Sequence, residues 1–195
     1  MPKQLKVAIA AAVLLVLFMS SQGTAALWHA KGSMGVGSIS TGSLYLLAGN
    51  ASKAQQDYAF TELNRTNLIP GQFVQAPLVI SNGGTTDLAY DLAGASTFPT
   101  SATAADKALS THSVLTIKAG MSAPSCAARN ALTDPLYKGP ANAAATLGKV
   151  RNLSAGEDSS SSETLCIRIE IPSHTPQAAA GGKLNLVLNF VGQQQ

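Results

Sequence analysis

The chain has 195 residues, enough for one domain and marginal for two. Apolar residues make up 46% and charged residues only 12%, about half the ordinary charged share, which excludes a coiled coil and a charge-rich disordered tail. The formal net charge is +3, yet Lys and Arg form no run, so the clustered basic footprint of a nucleic-acid binder or of a polybasic membrane patch is missing.

The N-terminus carries the first pattern. Lys3 and Lys6 precede an uncharged apolar run, Val7 to Met19, and then small and polar residues from Ser20 to Ala26. This is the order of a secretory signal. The run is shorter than the roughly 20 residues that span a bilayer. Thr24 and Ala26 stand at the −3 and −1 positions, with cleavage before Leu27. An uncleaved signal anchor is the alternative. The sequence therefore predicts a signal peptide over 1–26 and one domain over 27–195, secreted to the extracellular space or cell surface. No later apolar run is long enough to span a membrane, so none of the chain is expected in the membrane after cleavage. A chain of this length buries a core without covalent staples.

Leu27 to Ser40 is rich in glycine and serine, with Met34, Val36 and Ile39 as sparse apolar points, a weak strand. Gly42 to Leu47 predicts a strand ended by Gly49-Asn50. Ala51 to Phe60 reads as a helical turn or loop, and Thr61 to Asn67 as a short strand. Leu68-Ile69-Pro70-Gly71 is a turn signal. Gln72 to Ser81 is a strand whose Pro77 implies an edge or a bulge. Asn82-Gly83-Gly84 is a hairpin-type break.

Thr86 to Leu92 alternates, with Leu88, Tyr90 and Leu92 on one face. Thr97 to Ser110 holds a short helix or loop. Ser113 to Ala119 alternates again, with Leu115 and Ile117 inward. Pro124 to Pro140 is irregular, and Ala141 to Val150 predicts a short helix. The whole stretch 98–150 reads as an insertion. Glu157 to Glu163, with its four serines, is a spacer. Thr164 to Ile171 is a strand with Leu or Ile at every odd position. Pro172 to Gly182 is a loop. Lys183 to Val191 is the last strand, with Leu184, Leu186, Leu188 and Phe190 facing in. Seven or eight short strands separated by turns predict an all-β sandwich, of Ig-like or jelly-roll type.

Two cysteines fall within 27–195, Cys126 and Cys166, an even count that suits one disulfide in an exported chain. Alternation puts Cys166 with Arg168 and Glu170 on the solvent side. A bridge there ties a loop around Cys126 to the outside of a sheet and closes about 40 residues, worth at most about 4 kcal/mol. Two free thiols are the alternative.

Several stretches together are similar to one family. They are the junction Gly23-Thr24-Ala25-Ala26-Leu27-Trp28, then Ser38-Ile39-Ser40-Thr41-Gly42-Ser43-Leu44, Leu68-Ile69-Pro70-Gly71 and Leu78-Val79-Ile80-Ser81-Asn82-Gly83-Gly84. The end of the chain adds Leu165-Cys166-Ile167-Arg168-Ile169, Pro172, Gly181-Gly182 and Leu186-Val187-Leu188-Asn189-Phe190-Val191-Gly192-Gln193. In this order they resemble the TasA/camelysin (CalY) group of exported proteins, which a SipW-type signal peptidase processes. The cysteine pair and the Ala/Thr-rich composition resemble actinobacterial members. Trp28-His29-Ala30 departs from the pattern, lacking the acidic residue often found after the junction aromatic. The resemblance covers about the first half and the last fifth of the chain.

The resemblance implies a jelly-roll subunit of extracellular biofilm-matrix fibres, self-associating or joining a major fibre subunit. It implies strand addition by the mature N-terminus. The donor stretch would be Leu27 to Ile39, with Leu27, Trp28, Met34, Val36 and Ile39 as its apolar points; an ordinary frayed terminus is the alternative. Trp28 reads as the first core residue of the mature domain.

An enzyme is not expected, and neither is a cofactor. Camelysin's description as a metalloprotease calls for a zinc motif, but no H-E-x-x-H occurs, and His29, His112 and His174 are isolated. No G-x-S-x-G elbow, Walker loop or calcium loop is present. Asn50, Asn64 and Asn152 stand in glycosylation sequons. Besides the fibre subunit, a monomeric secreted β-sandwich binding module remains open, with Tyr58 and Tyr137 as loop aromatics, and behind it a camelysin-like protease.

Overall fold

Alternating apolar residues carry the chain into two antiparallel sheets with a shared core. The computed structural model describes residues 42–50, 52–97, 101–156 and 161–195, with Gln4 alone before them. Apart from Gln4, these belong to one unit, Thr41–Gln195. The signal peptide, its junction at Thr24, Ala26 and Leu27, the stretch holding Trp28, Met34, Val36 and Ile39, and residues 157–160 of the serine spacer lie outside the described residues.

The strands in chain order are β1 (Leu46–Asn50), β2 (Lys53–Gln55), β3 (Phe73–Asn82), β4 (Leu88–Ser96), β5 (Val114–Ala119), β6 (Tyr137–Gly139), β7 (Arg151–Leu153), β8 (Ser162–Glu170) and β9 (Val187–Gln194). Two helices join them, α1 (Ala104–His112) and α2 (Ala123–Ala127). One sheet has the order β2-β1-β3-β8-β5-β6 and the other β7-β4-β9. The fold is an all-β sandwich.

The core is made by the residues whose period of two marks a one-sided strand. Leu165 and Ile167 in β8, Leu115 and Ile117 in β5, and Ile80 in β3 are fully buried. Leu88, Tyr90 and Leu92 face them from β4. One polar clasp crosses between the sheets. The Tyr90 hydroxyl donates to Glu163 Oε2 at 2.6 Å, and Arg151 Nε donates to the same oxygen at 3.0 Å while its Nη2 meets Oε1. Burial, reinforced by the bond to Glu163, holds the Tyr90 phenol far above its ordinary range. The bond to Glu163 likewise raises Arg151.

β3 has neighbours on both sides, but β1 pairs only with Val79 to Asn82, so at Pro77 one side of the strand has no described partner, as the expected edge requires, and a missing N–H there costs no ladder bond. Several expectations are corrected. Asn82-Gly83-Gly84 does not close a hairpin: β3 and β4 belong to different sheets. The Asn82 side chain holds this crossover, accepting from Gly84 N and donating to Thr86 O and Ser154 O. Gly49-Asn50 belongs to β1, which continues into the short β2 where a loop was expected. Thr61–Leu63 is a 3-10 turn, not a strand. The Pro70-Gly71 turn forms as expected, with Gln72 N bonded to Ile69 O and Gly71 at φ 88°.

Residues 141–150 form turns rather than a helix, and bury Ala141, Ala145 and Leu147. The stretch 98–150 is not wholly an insertion, because it supplies β5, which pairs with β8 and β6 within the large sheet. β8 begins at Ser162, so the end of the expected spacer is strand. α1 forms where a helix or loop was expected, opened by a capping box between Thr103 and Asp106.

Candidate functional site

Four strands end the two sheets among the described residues, and they are unequal. β2, β6 and β7 are three residues long and carry Lys53, Lys138 and Arg151. Short length and a basic side chain are the ordinary protections of a sheet edge. β9 has eight residues, VLNFVGQQ, and no charge. Lys183 is the last charged residue of the sequence, so twelve uncharged residues follow it. That run is the sequence signal that marks this edge.

Beside β9 lies a cleft of about 2030 Å³ between the sheets. Leu44, Leu46, Tyr58 and Phe60 line it from the large-sheet side, and Leu186 and Leu188 from the approach to and start of β9. The last strand begins at Val187 rather than at the expected Lys183, so Leu184 and Leu186 precede it and only Leu188 and Phe190 alternate within it, and all four remain only half-buried. Leu115 and Ile117, by contrast, are fully buried. Val187 and Val191 on the opposite face are exposed. The volume exceeds the 300–1,000 Å³ usual for a small-molecule pocket. β9 lies close above β1, since a Cβ at Gly192 would fall 3.4 Å from Leu46 Cβ. The same Cβ would meet Leu88 Cδ1 of β4 at 2.6 Å, a side-chain tip that would have to shift.

The mouth of the cleft is fixed by side chains. Asn50 Nδ2 donates to the Tyr58 hydroxyl at 3.0 Å and to Glu62 Oε1 at 2.8 Å, and Tyr58 donates to Glu62 at 2.7 Å. The sequon amide of Asn50 is thus engaged, and the 56–63 segment is tied to the end of β1. At the approach to β9, Asp106 Oδ1 accepts from Lys183 N at 2.5 Å and Oδ2 from Thr103 N at 2.7 Å. These backbone bonds lower the Asp106 carboxyl below its ordinary range.

The opposite flank is closed. Cys126 and Cys166 form a disulfide with Cα atoms 5.6 Å apart and a sequence separation of 40. Cys166 points outward as alternation requires, yet both cysteines are fully buried, because α2 and the chain after it cover that face. The expected solvent side is therefore a second, smaller interior. Gln75 donates to Cys126 O at 2.8 Å and to Asn130 O at 3.3 Å, and accepts from Arg168 Nε at 2.7 Å. The Arg168 guanidinium lies 4.2 Å from the Phe73 ring centroid, where burial lowers its pKa.

The remaining candidates do not converge. His112 Nδ1 lies 2.8 Å from Ala108 O, and His174 sits on an exposed loop. Among the described residues no three His, Cys, Asp or Glu come together to hold a metal. Tyr137 belongs to β6 and donates to Pro140 O. Among the described residues no helix is long and apolar enough to cross a membrane. Compared with models of known protein families the chain matches none, and compared with curated proteins it gives no match.

Proposed function

We propose that the protein is an exported structural subunit of extracellular or cell-surface fibres, released by a SipW-type signal peptidase and assembled by strand addition. The observation that carries this reading is the β9 edge: eight residues, uncharged, beside a cleft that Leu44, Leu46, Phe60, Leu186 and Leu188 help to line, in a sandwich whose other described edges are short and basic. Backbone hydrogen bonds to such an edge give affinity, and alternate side chains in the neighbouring cleft give selectivity. The signal-like N-terminus and the resemblance to the TasA/camelysin group support the same reading. The disulfide suits an oxidising compartment.

The test is negative-stain microscopy of residues 27–195 beside a version beginning at Ser40. Fibres from the first and monomers from the second support assembly through the N-terminal stretch. If both remain monomeric at high concentration, self-assembly is refuted.

A further inference from the structure

We infer that the outer face of the large sheet carries a phosphate-binding site, made by Arg129 and Arg168 beside the ring of Phe73. The site lies on the α2 flank, and it stands or falls independently of the fibre reading.

The fold gathers these residues. Gln75, Arg168 and Thr116 are register partners across β3, β8 and β5, so their side chains leave the same face of the sheet. Phe73 leaves that face two residues before Gln75. Arg129 comes from the turn that follows α2. The Arg168 and Arg129 guanidinium carbons lie 4.2 Å and 5.7 Å from the Phe73 ring centroid, so the two cations stand within about 10 Å of each other. They are far apart in the chain, which is why no run of Lys and Arg announces them.

The two arginines differ in what they do for the fold. Arg168 Nε donates to Gln75 Oε1 at 2.7 Å and its Nη2 to Asn130 O at 3.2 Å. Both acceptors are neutral, and the remaining N–H groups of the fork are left for a ligand. Arg129 is exposed, and among the described residues its guanidinium has no hydrogen-bond partner. No described carboxylate comes within ion-pair distance of either cation. Glu170, the register partner of Phe73, acts on Arg168 only at longer range. Two like charges beside one ring repel each other until an anion joins them.

The turn that holds Arg129 is a Schellman cap. Arg129 N donates to Cys126 O at 3.0 Å and Asn130 N to Ser125 O at 3.3 Å, the two bonds of that motif. Its left-handed position is Arg129 itself, at φ 61°. Glycine is the usual occupant, because a Cβ is strained there. The cap alone therefore gives no reason for arginine, and a ligand-binding side chain does.

The number and placing of the donors select the anion. One guanidinium fork satisfies the two oxygens of a carboxylate. A phosphate offers three acceptor oxygens and up to two charges, so it takes donors from two directions. Here one fork comes from a strand and the other from a turn. The ligand is a phosphate group, free or as an ester.

The test uses the whole protein with its disulfide intact, at low salt. The Arg168 Nε–H and Asn130 amide resonances are followed by NMR as inorganic phosphate is added, with glycerol 1-phosphate and dimethyl phosphate as the monoester and diester arms. A saturable shift is expected. Arg129→Gly removes a charge-assisted hydrogen bond and should weaken binding at least about tenfold. The same change relieves the left-handed turn, so its melting temperature should equal or exceed the parent's. Arg168→Lys keeps the charge but loses the fork, and should also weaken binding. Lys53→Gln on β2 should leave it unchanged. Tighter binding of inorganic phosphate than of either ester assigns the site to the free ion; tighter binding of an ester assigns it to a phosphorylated molecule. No saturable shift with any of the three overturns the inference. So does unchanged affinity in Arg129→Gly, an equal loss in Lys53→Gln, or tighter binding of acetate than of phosphate.

Discussion

The two flanks of the sandwich solve the same problem differently. On the α2 flank the outer face of the large sheet carries Gln75, Arg168 and Cys166, polar or reactive groups that alternation sends outward. That face is sealed by a covalent bond and by Gln75 bonding to two backbone carbonyls. On the β9 flank the inward face carries Leu184, Leu186, Leu188 and Phe190, the residues a core uses, and they stay half-buried. Polar residues are enclosed on one side while apolar ones remain accessible on the other. Residue type alone does not decide burial; the extent of the opposing layer does. One sheet has six strands and the other three, and the open cleft lies beside β9.

The contrast can be broken most strongly at the sealed flank. Replacing both cysteines by serine removes a 40-residue loop constraint and is expected to cost about 4 kcal/mol in urea unfolding. A loss under about 1 kcal/mol would mean that the Gln75 network alone holds α2 in place. The core beneath comes next. Ile167→Ala, at a fully buried position shared by both flanks, is expected to cost about 3 kcal/mol. The same truncation at half-buried Leu188 should cost less than about 1 kcal/mol, because its side chain is already partly hydrated. Equal costs would remove the contrast between flanks.

The clasp between sheets is intermediate. Glu163→Gln leaves Tyr90 and Arg151 without a charged acceptor, and about 1–2 kcal/mol should be lost in the same assay. The smallest effect is electrostatic. The Asp106 carboxyl sits below its unfolded value, so its contribution is present above about pH 4 and disappears as pH falls through the lower folded value. Melting temperatures of Asp106→Asn and the parent should therefore converge at acid pH and separate at neutral pH. Parallel curves across that range would exclude this linkage.

Much of the sandwich is legible in the sequence where one face of a strand is uniformly apolar. Leu165, Ile167, Ile169 and Ile171 announce β8 and its inward face, as Leu88, Tyr90 and Leu92 do for β4. The failures have physical reasons. β2 and β7 are too short to show a period, and they form because a longer neighbour offers a ladder. Asn82-Gly83-Gly84 carries the chemistry of a tight turn, but the next strand packs in the other sheet because Asn82 bonds to residues from the Leu153 region. The candidate site was half visible. Leu188 and Phe190 were identified as inward residues of the last strand, but the strand starts four residues later than expected, and the charge-free run after Lys183 gained meaning only once the other edges proved short and basic.

The disulfide also has a mechanical consequence. When a chain is pulled from its ends, each residue released from the fold adds about 3.4 Å of contour. The residues between Cys126 and Cys166 are bypassed by the covalent bond, so roughly 130 Å of slack stays locked while the bridge is intact. The central strand β8 carries one anchor of that lock, so load entering β8 continues through sulfur into α2. Stretched under reducing conditions, the domain should lengthen by that hidden amount; stretched under oxidising ones, it should behave as a shorter and stiffer link.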